Sequence, residues 1–153
     1  MEKGDVYFSV HRGLTSPKPH FCIVVNDAAG SGKRVVLTFA MSQLETRLAI
    51  ARRNHYPKET LVQIAPSQYE PFDRLTVIDC NSVQVDDVSE LAANLKAVHA
   101  KKKPKLPQSI LDRIIRGIHA SPRSTPEMLK LIGPPPPVTI PALPKGGLKI
   151  TVK

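Results

Sequence analysis

A mainly β domain with a C-terminal amphipathic helix is the fold class this sequence predicts, and three observations predict it. Three extended segments, residues 6–10, 21–25 and 35–39, follow closely on one another and are rich in Val, Ile and Phe. The last two are joined by residues 28–33, where Gly30 and Gly32 offer the positive φ that a hairpin loop needs. Farther on, Ile110, Leu111, Ile114, Ile115 and Ile118 form a single stripe at helical spacing, with Asp112, Arg113 and Arg116 turned away from it.

Taken in order, Val6, Phe8 and Val10 alternate with Tyr7 and Ser9, the period of a half-buried strand. Residues 11–17, broken by Gly13 and Pro17, read as a loop. The unbroken apolar run 21–25 fits a central strand covered on both faces, and Asn26 and Asp27 end it. Residues 35–39 give the third strand. Residues 43–53 show weak helical periodicity and read as a loop with one turn of helix. His55, Tyr56 and Pro57 open the next extended piece, residues 60–64 alternate as a strand, and residues 66–69 suit a helical turn. Residues 75–80 predict a further strand and 82–85 another, after which Ser89 reads as the N-cap of a helix bearing Leu91, Leu95 and Val98. The charge run 101–105, broken by Pro104, reads as a solvated connection to the amphipathic helix, which Ser121 and Pro122 stop. A second short helix, Pro126–Ile132, closes at Gly133. The prolines at 134–137 make a stiff polyproline II spacer. Leu148, Ile150 and Val152 then alternate with Lys149, Thr151 and Lys153, a strand suited to the edge of some sheet, including a partner's. The chain therefore divides into a body, residues 1–120, and a basic Pro-rich tail, residues 121–153.

Net charge is +9, but it is not spread evenly. Residues 1–95 carry ten Lys/Arg against eleven Asp/Glu, whereas residues 96–153 carry twelve against two, so the whole excess lies behind the predicted β-rich barrel, from residue 96 onward. Such a tail supplies salt-dependent, sequence-blind attraction to RNA, DNA or an acidic partner. The chain has no apolar run of membrane-spanning length and no charged-then-apolar leader at Met1, so a cytoplasmic protein without membrane contact is expected. Cys22 and Cys80 sit in apolar strand-like settings without metal-ligand spacing and read as buried free thiols.

The order of these elements resembles the MazF/PemK family of small SH3-like barrels from residue 4 to about residue 118. Gly4, Asp5, Val6, Tyr7 and Phe8 look like the family's opening strand. Lys18 and Pro19, followed by an apolar strand ending at Asn26 and Asp27, resemble its Arg-Pro strand. Residues 35–43 are similar to its strand ending in a Thr-containing turn, and the 110–118 helix fits its C-terminal helix. The resemblance implies an SH3-like barrel, a homodimer, an antitoxin partner, no cofactor, and metal-independent cleavage of single-stranded RNA by attack of the substrate's own 2′-hydroxyl.

In that chemistry an Arg stabilises the charge growing on phosphorus and a Thr hydroxyl completes the pair. Here Lys18 matches the Arg and Met41 the Thr, so charge is retained without the bidentate grip, and a hydroxyl is lost. Ser42 next door supplies a hydroxyl, and His20 is the residue type that moves protons near neutrality. The catalytic candidates are thus Lys18, His20 and Ser42, with His11 and Arg12 as loop residues able to close over them. Each also has an ordinary reading: His20 as a surface residue at a strand start, Lys18 as a solvated lysine, Ser42 as a cap. Arg12, Arg47, Arg52, Arg53 and the lysines 101, 102 and 103 are candidate RNA contacts, with His55 beside them. Tyr7, Phe39 and Tyr56 are the rings expected near that path, two of them as core residues. The alternative is a non-catalytic module that holds nucleic acid or protein through the body and the basic tail.

Overall fold

A computed structural model describes residues 1–28 and 33–138. The protein is a mixed α/β fold: a seven-stranded antiparallel sheet with four helices. The strands are β1 (Val6–Ser9), β2 (His20–Val24), β3 (Arg34–Met41), β4 (Leu61–Ile64), β5 (Thr76–Asp79), β6 (Gln84–Asp87) and β7 (Lys101–Lys103). The helices are α1 (Leu44–Arg53), α2 (Val88–Ala97), α3 (Gln108–Ala120) and α4 (Pro126–Ile132). The hydrogen-bonded path runs β4-β5-β3-β2-β1-β7, and it is open: its end strands β4 and β7 do not pair with each other.

The long strand β3 organises this sheet. One edge pairs with β2, and the other is divided, Arg34 to Leu37 against β6 and Ala40 and Met41 against β5. Because side chains alternate across a strand, β3 feeds two cores. Val36 and Ala40 join Val6, Ile23 and Val25 beneath the α3 stripe, whose five apolar residues are all buried. Val35, Leu37 and Phe39 join Cys22 and Val24 beneath Leu91 and Leu95 of α2. Asn26 carries the chain out of β2: its Oδ1 accepts from Val36 N (2.8 Å) and its Nδ2 donates to the Arg34 carbonyl (3.2 Å). The positive φ in the following loop falls at Lys33 (φ 80°), while Gly30 and Gly32 lie outside the described residues.

Several expectations are corrected. Leu44–Arg53 form a full helix rather than a loop with one helical turn, because Leu44, Leu48 and Ala51 give a narrow apolar stripe and no breaker interrupts residues of good helix propensity. His55 does not open a strand; at φ 55° it closes α1, with Tyr56 N donating to the Ala51 carbonyl (2.9 Å) and His55 N to that of Arg52 (3.2 Å). His99 (φ 49°) closes α2 in the same way. Asp87, not Ser89, caps α2, because its carboxylate accepts the amides of both Ser89 and Glu90. Val10 is exposed and Ser9 buried, since β1 ends at Ser9 and the strand alternation stops there.

The lysine run is likewise an edge strand, not a solvated connection. Lys101, Lys102 and Lys103 pair with Phe8, Tyr7 and Val6. Lys102 Nζ lies 5.9 Å from the Tyr7 ring centre and 3.5 Å from Asp5 Oδ1, and Lys103 Nζ lies 5.8 Å from the Phe8 ring centre. Neighbouring rings and a carboxylate, together with an outer edge open to water, let three like charges share one strand. The strand expected at residues 148–152 lies outside the described residues. Among those described, no helix is long and apolar enough to cross a membrane.

Candidate nucleic-acid interface

The start of β2 and the end of β3 lie side by side, since Cys22 is registered opposite Phe39 and the ladder runs on toward His20 and Met41. This juxtaposition depends on pairing strands whose relevant ends are about twenty residues apart in sequence. It brings Lys18, His20, Met41 and Ser42 onto the wall of one groove of about 390 Å³. The loop carrying Asp73 and Arg74 faces them, with Thr76 at the start of β5. A smaller extension of about 270 Å³ shares His20, Met41 and Ser42 and leads past Thr15 and Gln43 to Arg47.

The groove also contains rings that sequence reasoning did not single out. Phe8 and Phe21, each half-buried, line it with ring centres 4.8 Å apart. Phe21 leans edge-on against the buried Phe72 (5.0 Å), and Phe72 against Tyr69 (4.9 Å), so the platform is anchored in the core. Phe8 reads from sequence as an ordinary strand residue; its place in the groove follows from β1 pairing with β2, which registers Phe8 opposite Phe21. Two of the three rings expected near the path belong to the core, as expected. Phe39 is buried, Tyr7 packs against the α2-side core, and Tyr56 lines a separate cavity.

Lys18 and Ser42 are exposed and His20 half-buried. The Nε2 atom of His20 is shielded from solvent and has no partner among the described residues. Arg74 was also missed. Its Nε and Nη2 reach the two carboxylate oxygens of Asp73 at 3.1 and 3.3 Å, and this hydrogen bonding holds the Asp73 carboxyl below its ordinary pKa. Arg47 Nη1 lies 3.4 Å from Asp79 Oδ2.

Other candidates do not converge here. His11 is buried, its Nε2 3.2 Å from Asp86 Oδ2 and its ring 4.9 Å from Phe39, so it cannot close over the groove. Arg12 pairs with Glu90 of α2 (2.7 Å) and is held on that side. Arg52, Arg53 and His55 are exposed at the end of α1, outside the linings of the groove and its extension. Lys101, Lys102 and Lys103 lie on the edge strand, joined to the groove through Phe8. Both cysteines are free and buried, and burial pushes both thiols well above their ordinary pKa. Among the described residues no group of three His, Cys, Asp or Glu is placed to hold a metal ion.

Set against known proteins, the chain matches no protein-family model and no curated protein.

Proposed function

We propose that the groove binds single-stranded RNA and cuts it without a metal ion, on an SH3-like body of MazF/PemK type. The observation that carries this reading is the Phe8–Phe21 platform flanked by cations and hydroxyls: Lys18 beside it, Lys103 over Phe8, and Ser42 and Thr76 within the same lining, where the charge of Arg74 is balanced by Asp73. Unpaired bases stack on such rings whatever their sequence, while the cations follow the phosphates. Duplex bases, already stacked on one another, gain nothing from the platform.

In the cleavage step His20 takes the proton from a ribose 2′-hydroxyl. The O2′–P bond forms as the P–O5′ bond breaks, leaving a 2′,3′-cyclic phosphate, and the departing 5′ oxygen takes a proton from water. Lys18 stabilises the charge building on the phosphoryl oxygens, and Ser42 donates a hydrogen bond to them. Met41 carries no hydroxyl, so a slow reaction is expected.

The test is an unstructured, end-labelled RNA incubated with the full chain in EDTA. The reading expects cyclic-phosphate ends, loss of cleavage but not of binding in His20→Ala, and roughly tenfold weaker binding in Phe8→Ala, about one base-stacking contribution. RNA that is bound but uncut at stoichiometric protein supports the second reading, a non-catalytic RNA-holding module, which the lysine edge strand β7 favours. RNA that is neither bound nor cut overturns both.

A further inference from the structure

A second polar cavity, of about 470 Å³, lies between α1, the β5–β6 connection and the loop after α3. Its floor consists of Asp79 and Asn81, only 5% and 9% exposed. Asn81 is fully committed: Nδ2 donates to Thr60 Oγ1 (2.9 Å) and Asp79 Oδ1 (3.0 Å), and Oδ1 accepts from Ser121 Oγ (2.6 Å). Asp79 Oδ1 also accepts from Asn81 N (2.9 Å), and its Oδ2 faces Arg47 Nη1 and Ser82 Oγ at 3.4 and 3.5 Å. The floor is therefore satisfied and rigid, and hydrogen-bonding capacity remains on the walls.

Those walls are cationic and carry one ring. The charge of Arg47 is balanced by Asp79, whereas Arg123 makes no ion pair among the described residues, which leaves one positive charge in excess. Arg47 Nε is shielded from solvent without a partner among the described residues, an unmet donor that an incoming acceptor would satisfy. Tyr56, half-buried, adds a flat apolar face. Two guanidiniums suit a phosphate, and a ring beside them suits a base. Arg47 also lines the groove's extension, so the two cavities meet at one side chain.

We propose that this chamber binds a phosphate-bearing nucleotide, Arg47 and Arg123 taking the phosphate and Tyr56 the base; as a pocket for a further nucleotide of the same strand it rests on the RNA reading above. The experiment is calorimetric titration of the full chain with uridine 3′-monophosphate, uridine and inorganic phosphate, alongside an eight-nucleotide RNA. The nucleotide is expected to bind roughly tenfold or more tighter than either fragment, and Arg123→Ala and Tyr56→Leu to weaken it roughly tenfold each. Arg52→Ala, exposed on α1 outside the chamber, controls for simple loss of charge and is expected to change nothing. Thermal unfolding of each variant separates lost binding from lost folding. Equal affinity for phosphate and nucleotide, or no effect of Arg123→Ala in a folded variant, overturns the chamber while leaving RNA binding by the groove intact. Conversely, RNA that fails to bind while the nucleotide is held in an Arg123-dependent way removes the groove reading and leaves the chamber standing.

Discussion

Replacing Gly117 with Ala sets helix propensity against packing, and the structure gives both sides of the comparison. Gly117 lies inside α3, where glycine costs about 1 kcal/mol relative to alanine, so on an exposed face the change would stabilise. Here a Cβ would stand 2.7 Å from Cys80 Sγ and 2.7 Å from the Glu59 carbonyl oxygen, with Cys80 Cβ at 3.3 Å. The thiol sits in a closed core and the carbonyl belongs to the backbone entering β4, so neither can give way without moving α3 off the sheet. Overpacking of this kind costs about 1–3 kcal/mol, more when backbone must shift. With two contacts this short the upper end applies, and the propensity gain leaves a net loss of about 2 kcal/mol. Urea unfolding, followed by far-UV circular dichroism, should show a lower midpoint at unchanged slope, and a thermal midpoint lower by about 4–8 °C. Cys80→Ala in the same chain should recover only part of the loss, because the Glu59 carbonyl remains. A Gly117→Ala variant as stable as the parent would refute the close seating of α3 on the Cys80 corner. With it would go the Asn81–Ser121 contact that ties the loop after α3 to the chamber floor.

Other outcomes follow from buried polar groups. Asn81→Ala takes one partner each from Thr60 and Asp79 and leaves the Ser121 hydroxyl without its acceptor, and should lower stability by about 1–3 kcal/mol, the cost of unmet buried groups; an unchanged denaturation midpoint would contradict the network. The Tyr69 hydroxyl donates to the Pro104 carbonyl (2.5 Å), and burial pushes its pKa up from 10.0 to about 12. A folded-state pKa above the unfolded one means this stabilisation is complete below pH 10 and lost as pH rises toward 12, by about 3 kcal/mol. Tyr7 is shifted in the same direction by burial and by Asp5. Tyr69→Phe should therefore flatten the alkaline limb of the stability–pH profile, read by unfolding at stepped pH. Cys22 and Cys80, raised by burial first and by Asp86 and Asp79 second, should resist a thiol reagent at pH 8 and react together once the chain unfolds. Fast labelling of either in the folded protein would be inconsistent with the cores described.

Periodicity settled the elements that obey a single local rule. The stripe from Ile110 to Ile118, the apolar run into β2 and the short helix from Pro126 stopped at Gly133 were legible because local patterns of burial and helix breaking are written in the residues themselves. Pairing of Lys18 with the Met41 and Ser42 corner was legible too, but only through a resemblance in the order of strands. Tertiary structure decided everything that depends on a neighbour distant in sequence. Three adjacent lysines become a strand because β1 offers them backbone partners in Val6, Tyr7 and Phe8, while Asp5 beside it takes the Lys102 charge. Phe8 becomes part of a groove because β2 registers Phe21 opposite it, and His11 is withdrawn from the site because Asp86 holds it on β6. Arg47, Tyr56 and Arg123 meet although 76 positions separate the first from the last. A side chain's type is written at its own position, but what it touches is set by which strand edges and helix faces close around it.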